Sequence, residues 1–427
     1  MLQVNFIKEN KERVLKGLKI RNYSEDQLGV IDEVIALDEL RKSTQTELDA
    51  LLFERNSLSK EVGALYKTGK RDEAEVIKSK VGQLKEKTEA LQQQLKDKTE
   101  ALANLLYTIP NIPHESVPGG NTDEDNEVFQ AWEKDLPSLE ETAMPHWELA
   151  KKYNLFDLEL GNKIAGAGFP LYRGQGAKLQ RALINFFLDE AAAAGYEEVI
   201  PPLLVNEATA RATGQLPDKE GQMYHAQKDD LYLIPTAEVP ITNIYRDVIL
   251  KENDFPIKLT GHTPCFRREA GSYGAHVRGL NRVHQFDKIE IVQIEHPDKS
   301  YDTLHVMLEH VKSLLEKLEL PYRILRLCGG DLGFTAALTF DFEVYSAAQK
   351  RWLEVSSVSN FETFQTHRMK LRYEDAKNKK HLAHTLNGSA LALARIFAAL
   401  LENNQTEEGI KIPKALQAYT RFELIRN

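Results

Sequence analysis

Between about Ser24 and Tyr107, apolar residues recur with a seven-residue period that only long, paired helices can bury along one seam. Leu37, Thr44, Leu51, Leu58 and Leu65 form one series, and Val34, Leu48 and Val62 form its companion, with Arg41 and Arg55 interrupting it. The pattern breaks at Tyr66-Lys67-Thr68-Gly69-Lys70-Arg71. It resumes with Ile77, Leu84, Leu91 and Leu105, and with Val81, Thr88, Leu95 and Leu102 between them. A glycine-centred break between two heptad runs predicts a helical hairpin. Two helices of roughly 35 to 43 residues, rising about 1.5 Å per residue, would project about 50 to 65 Å as an antiparallel coiled coil. Read alone, such an arm suits a dimerisation or spacer element.

The arm ends where the composition changes. Residues 109–120 contain three prolines and two glycines, enough to stop a helix and start an independent domain. The boundary is expected near residue 110, giving an amino-terminal domain over 1–110 and a larger one over 111–427 with the linker at its start. Residues 121–127, which follow, are polar and acidic and read as solvated surface. A length of 427 residues fits two domains. The hydrophobic fraction of 42 % is ordinary for a soluble protein, and no apolar run approaches the ~20 residues of a membrane span. The first eight residues lack a signal-peptide pattern, so a cytoplasmic location is expected. Cys265 and Cys328 have neither zinc-site spacing nor the number of a disulfide scaffold, and each reads as a small buried hydrophobe. A net charge of −9 argues against indiscriminate coating of nucleic acid and leaves room for a specific RNA held by a local basic surface.

In the larger domain, Pro264 to Glu269 and Arg282 to Ile291 both alternate apolar with charged residues and read as two antiparallel strands. The turn-rich stretch from Ala270 to Gly279 is too long for a tight hairpin and reads as a mobile loop. On the second strand Val283, Gln285, Asp287, Ile289 and Ile291 share one face, and Arg282, His284, Phe286, Lys288 and Glu290 share the other. A face carrying cations, an aromatic ring and a carboxylate suits a nucleotide site, and it equally suits a charged, solvated sheet surface. Two other stretches bear on the choice. His384 to Arg395 is a strand-to-helix passage with small residues at alternate positions, which lets backbone approach a ligand. Gly195 to Val205 follows an alanine-rich helix around residues 179–194 and carries Pro201 and Pro202, which confine a strand to an edge or an interface.

Taken in order, the Gly195, Phe266 and His384 segments resemble the three signature motifs of class II aminoacyl-tRNA synthetases. Thr236-Ala237-Glu238 and Glu354-Val355-Ser356-Ser357-Val358-Ser359-Asn360, with His384 to Ser389, narrow the resemblance to seryl-tRNA synthetases of the bacterial type, and it runs the length of the chain. The fold this implies is α+β: an antiparallel sheet flanked by helices, carrying the coiled-coil arm. The activity it implies is joining L-serine to tRNA(Ser), with tRNA(Sec) a further candidate, at the expense of ATP with Mg²⁺ and without structural zinc. A homodimer formed through Gly195 to Pro202 is also implied, and no membrane partner.

The resemblance assigns roles residue by residue. Arg267 would contact the α-phosphate and the serine carboxylate and Arg395 the γ-phosphate, making these two the catalytic pair. Phe286 would stack on adenine, Glu269 would read its exocyclic amine, and backbone around Val283 would meet the base. Arg268, Val355 and Ser356 complete the ATP set, and Glu354 and Ser357 would hold Mg²⁺ through hard oxygen ligands. Serine would be bound by Thr236, Ala237, Glu238, Arg267, Glu290 and Ser389, with Arg267 keeping Glu290 ionised. In the arm, the resemblance turns a spacer into a tRNA grip, with Arg55, Lys60, Lys67, Lys70, Arg71, Lys78 and Lys80 as candidate phosphate contacts.

Adenylate formation suits such a set. The substrate carboxylate is already ionised at neutral pH, so the step needs charge neutralisation and alignment, not a general base. This chain departs from the family where it has Ala390 and Ala394 in place of common glycines, and where residues 364–368 replace a more basic segment. The competing readings are a carrier-protein aminoacyl ligase, expected to lack the arm, and a non-catalytic RNA-binding paralogue, expected to have lost the phosphate arginines or Glu290.

Overall fold

The computed structural model describes residues 1–140, 142–218, 221–269 and 278–426. It divides into two compact units, one of residues 1–19 and 23–110 and the other of residues 20–22 and 111–427.

The first unit is helical. Its two long helices are α1 (Val30–Lys67), of 38 residues, and α2 (Arg71–Leu106), of 36. At about 1.5 Å per residue they span about 57 and 54 Å. Gly69 makes the turn between them at φ +80°, a conformation that glycine adopts without strain. Cross-helix bonds fix the antiparallel sense. Lys98 Nζ donates to Thr44 Oγ1 (2.6 Å), Arg55 Nη1 donates to Thr88 Oγ1 (3.1 Å), and Lys80 pairs with Glu54 (2.8 Å). Val34, Thr44 and Leu48 of α1 and Leu84, Thr88 and Leu102 of α2 are buried, while Leu51, Leu58 and Leu65 are half-buried. The base of the arm holds a charge cluster that periodicity did not reveal. Asp38 is buried among Lys8 (3.1 Å), Arg41 (2.9 Å) and Lys42 (2.9 Å). Burial alone would raise its carboxyl, but the three cations outweigh that and hold it down at about 2.

The second unit is built on an eight-stranded sheet. In chain order the strands are β1 (Glu127–Ala131), β2 (Glu197–Glu198), β3 (Ile257–Phe266), β4 (Gln285–Glu295), β5 (Tyr322–Arg326), β6 (Leu338–Ser346), β7 (Arg351–Asn360) and β8 (His384–Ala392). Across the sheet they run β1-β5-β6-β7-β8-β4-β3-β2, antiparallel except for the parallel β2–β3 pair at one edge. Helices α3 (Gly174–Ala193), α4 (Ser300–Lys317) and α5 (Leu393–Asn403) pack on it. Ile289 and Ile291 of β4 join Leu183, Phe187, Phe342, Leu386 and Phe397 in the main core.

The sequence expectations differ from these elements mainly at strand ends. The β3 strand stops at Phe266, not Glu269: Arg267 N still donates to His284 O (3.0 Å), in line with the Phe266–Gln285 pair, but Arg268 N leaves the ladder for Gln222 O (2.9 Å). The β4 strand begins at Gln285, so Arg282 to His284 precede it. Residues 270–277, most of the expected mobile loop, lie outside the described residues. The run after Gly195 (φ +85°) gives only a two-residue edge strand. Val199 N still reaches Thr260 O (2.8 Å), but Pro201 and Pro202 have no amide to continue the ladder. Cys265 and Cys328 are both buried free thiols. No helix among the described residues is long and apolar enough to cross a membrane.

Candidate active site

From Phe286 on, the pleat of β4 sorts its side chains as the alternation predicts; ahead of the strand it does not, since Val283 lines the cavity and His284 stacks on Phe169 outside it. Asp287, Ile289 and Ile291 face away from the site; Asp287 accepts hydrogen bonds from Gln180 Nε2 of α3 (3.1 Å) and from His262 Nε2 (2.7 Å). Phe286, Lys288 and Glu290 line a cavity of about 570 Å³. Opposite Lys288 and Glu290, β8 carries one extra residue in its pairing with β4, between Ser389 and Ala392. Such a bulge re-aims side chains beside a site.

Within the cavity a buried polar triangle forms. Lys288 Nζ lies 2.6 Å from Glu290 Oε2 and donates to Thr236 Oγ1 (2.8 Å), and Thr236 Oγ1 donates to the same Glu290 oxygen (3.0 Å). The side chains of Lys288 and Glu290 are only 7 % and 2 % exposed. The cation against Glu290 is therefore Lys288, not Arg267 as the sequence suggested. Next to them Glu238 opens the short helix Glu238–Thr242, and Gln365 Nε2 donates to its Oε1 (2.6 Å). Burial first and the charge of Glu290 second push the Glu238 carboxyl up to about 7, against the pull of Gln365 and Lys288. Ser389 lines the cavity, and its carbonyl accepts from Ser356 Oγ (2.5 Å).

The same cavity holds the cationic groups. The Arg267 guanidinium lies 5.4 Å from the centre of the Phe286 ring, and its Nε reaches Pro235 O at 3.4 Å. Arg395 projects from the start of α5, donating through Nε to Asn281 O (2.9 Å) and through Nη1 to Glu354 O (2.7 Å), with Glu354 Oε2 3.7 Å away. Glu269 lines the wall with Arg282 Nε 3.3 Å from its carboxylate, and its amide donates to Gln222 Oε1 (3.0 Å). Val283, Glu354, Val355, Ser356 and Ser357 line it too. On β6, Asp341 stands in register with Ser357. Burial, reinforced by Glu354, raises its carboxyl well above the carboxylate range, and its Oδ1 is buried without a hydrogen-bond partner. Glu354 and Ser357 thus offer the oxygen donors Mg²⁺ prefers. Among the described residues no three His, Cys, Asp or Glu gather as a metal site, so such an ion would need phosphate oxygens as well.

Two expected residues stay out of the cavity lining. Arg268 lies over the Tyr224 ring (5.9 Å), and Ala237 is fully buried with Ile241, Leu259 and Val292. Of the two alanines at glycine positions, Ala394 lines the cavity and Ala390 is in the core. In the arm, Lys60, Lys67, Lys70, Arg71, Lys78 and Lys80 are exposed. Lys70 pairs with Glu73 and Lys78 with Glu75, while Arg55 is half-buried on the interhelix seam. Sequence reasoning missed Lys288 and Gln365 as site residues. Lys288 had a signal, its parity with Phe286 and Glu290; Gln365 had none, since nothing local links it to Glu238.

A family model for the class II tRNA synthetase core domain (G, H, P, S and T) matches residues 222–404, and one for the seryl-tRNA synthetase N-terminal domain matches residues 1–113. The serine–tRNA ligase of Salinibacter ruber is 50 % identical over 427 residues, covering 100 % of this chain and 99 % of the relative. The crystal structure of seryl-tRNA synthetase from Pyrococcus horikoshii complexed with ATP superposes with a TM-score of 0.91 at 32 % identity, covering 100 % of this chain and 99 % of the other. That of the cytoplasmic serine–tRNA ligase from Naegleria fowleri in complex with AMP gives 0.86 at 26 % identity, with the same coverage.

Proposed function

Because this chain belongs to the seryl-tRNA synthetase family, we propose that it activates L-serine with ATP and transfers it to the 3′-terminal adenosine of tRNA(Ser), with tRNA(Sec) as a further acceptor. The observation that carries this reading is a single cavity lined by Thr236, Glu238, Glu290 and Ser389 together with Arg267, Arg395 and Glu354. The first four suit the ammonium and hydroxyl of serine; the arginines suit its carboxylate and the phosphates of ATP.

In the first step a carboxylate oxygen of serine attacks the α-phosphorus. A new O–P bond forms, the bond to the leaving oxygen breaks, and pyrophosphate departs. Arg267 neutralises the carboxylate and α-phosphate as they approach, and Arg395 holds the γ-phosphate in line. Phe286 carries the adenine ring and Glu269, braced by Arg282, accepts from its amine. Glu354 and Ser357 would hold Mg²⁺ with the phosphates, where the ion supplies further charge neutralisation. In the second step the terminal ribose hydroxyl attacks the activated carbonyl and AMP leaves. The exposed Lys60, Lys67, Lys70, Arg71, Lys78 and Lys80 suit contact with tRNA phosphates, each adding position rather than sequence reading. Domains of 1–110 and 111–427, a homodimer joined through Gly195 to Pro202 and a cytoplasmic location complete the proposal.

The test is serine-dependent ATP–pyrophosphate exchange, run beside threonine and alanine. Exchange confined to serine supports the reading. Folded protein that exchanges with none of the three sinks it and favours a non-catalytic RNA-binding paralogue. Charge reversal at Lys67, Lys70 and Arg71 together tests the arm: aminoacylation of tRNA(Ser) should fall while exchange is unchanged.

A further inference from the structure

A second polar network, bonded to the cavity residues Leu280 and Asn281, is centred in the core. Glu402 of α5 and His146 are each fully buried, with His146 Nδ1 2.6 Å from Glu402 Oε1. The same carboxylate accepts from the His146 amide (2.8 Å), from Ser346 Oγ and from Gln349 Nε2 (2.9 Å). Burial pushes the Glu402 carboxyl up, but the His146 contact and the Ser346 hydroxyl outweigh it and hold the group below its ordinary value. Two arms leave this hub. His146 Nε2 accepts from the Leu280 amide (2.8 Å), and Gln349 Oε1 accepts from Asn281 Nδ2 (3.0 Å). Leu280 and Asn281 both line the cavity, and the Asn281 carbonyl accepts from Arg395 Nε (2.9 Å). Gly279, at φ +71°, leaves the space this needs: a Cβ there would come within 2.1 Å of His146 Nε2.

We propose that Glu402, His146 and Gln349 are positioning residues for ATP. They fix the Leu280–Asn281 turn and, through the Asn281 carbonyl, aim Arg395 at the phosphates. The bond pattern assigns the tautomer. A neutral imidazole that accepts at Nε2 carries its proton on Nδ1, from which it donates a hydrogen bond to Glu402. Asn281 and Arg395 line the cavity, and the Glu402–His146 pair that holds their turn is fully buried. Arg395 itself has a flexible side chain, and one of its two backbone acceptors, Asn281 O, is only as fixed as this turn. This inference rests on the proposal that the cavity takes ATP, with Arg395 on its phosphates.

The experiment measures ATP and serine binding by calorimetry, alongside pyrophosphate exchange, for the full-length wild type and three variants. Gln349→Leu keeps the volume of a half-buried side chain and removes the Asn281 clamp. It should raise the Kd and KM for ATP about fivefold, the worth of about one net hydrogen bond, and leave those for serine unchanged. His146→Phe keeps a ring without either bond and should do the same to a larger extent. His146→Gln, which can donate to Glu402 and accept from Leu280, should recover most of the loss. A general packing defect would instead lower the active fraction without splitting ATP from serine. Unchanged ATP affinity in folded Gln349→Leu, or equal weakening of both substrates, overturns the proposal. If His146→Phe does not fold, Gln349→Leu decides alone. Wild type that binds ATP without exchanging refutes the ligase reading while leaving the positioning test in force, and wild type that does not bind ATP overturns both.

Discussion

Glu238 sets the steepest expected dependence on pH. Its carboxyl is pushed up to about 7 by burial and by Glu290, from an ordinary value of 4.5. A serine ammonium held by this carboxylate requires the ionised form. The apparent Kd for serine should then rise as the group takes up its proton, by about elevenfold at pH 6 and about a hundredfold at pH 5 relative to alkaline pH. Stability runs the other way. A carboxyl whose folded value lies above its unfolded one favours the fold fully below about 4.5, and that contribution is lost as pH rises through about 7, amounting to about 3 kcal/mol. Serine should therefore raise the melting temperature more at pH 8 than at pH 6. The assay is KM for serine in pyrophosphate exchange from pH 5.5 to 8.5, with KM for ATP as the internal control. Glu238→Gln should bind serine more weakly at pH 8 and lose the slope. A serine KM that is flat between pH 6 and 8, or a slope that survives in Glu238→Gln, would refute the reasoning.

Lys288→Met removes the cation between Glu290 and Thr236 and leaves the two carboxylates facing each other. Breaking a buried pair from one side costs about 3–5 kcal/mol, and in protein that still folds, KM for serine at pH 7.5 should rise at least about tenfold. Ala394→Val pushes two methyl groups into the cavity wall and should raise KM for ATP by about tenfold with little change for serine, measured in the same exchange assay. In the arm, Asp38 is held at about 2 by Lys42, Arg41 and Lys8, so its contribution is present above about 4 and lost as pH falls toward 2. Asp38→Asn should lower the urea stability of the helical unit by about 2 kcal/mol at pH 7 and by much less at pH 2, read by circular dichroism.

What could be read in the sequence was whatever repeats over a short distance. The heptads of α1 and α2 and the alternation along β4 are local consequences of burying one face, and the structure reproduces both, down to Lys288 sharing a face with Glu290. Strand ends were less legible. The amides of Arg267 and Arg268 find partners in His284 and Gln222, and no pattern within residues 264–269 records that. Charge partners were hardest. Arg267 was expected beside Glu290 because both belonged to known motifs, yet the site uses a lysine two residues away on the same strand. Gln365 meets Glu238 across 127 positions, and His146 meets Glu402 across 256. Such pairs are set by the topology of the sheet and its helices, and a single sequence carries no trace of it.

The two faces of β4 also explain why the site tolerates so much buried charge. Ile289 and Ile291 lock the strand into the core, and Asp287 is tied to Gln180 and His262, so the backbone between them has little freedom. Lys288 and Glu290 project from that fixed backbone, and their 2.6 Å contact needs no loop to order first. Desolvating the pair is costly, and the raised Glu238 carboxyl shows that the side chains around it do not wholly offset that cost. A cationic ligand group entering there would restore the balance of charge. One strain in ionisation sits at the position where the ammonium is proposed to bind and another at Asp341 beside Glu354, while Arg395, proposed for phosphate, rests on the backbone carbonyls of Asn281 and Glu354. Serine recognition should for that reason respond to pH and to Lys288, and ATP recognition to the rigidity of the Leu280–Asn281 turn.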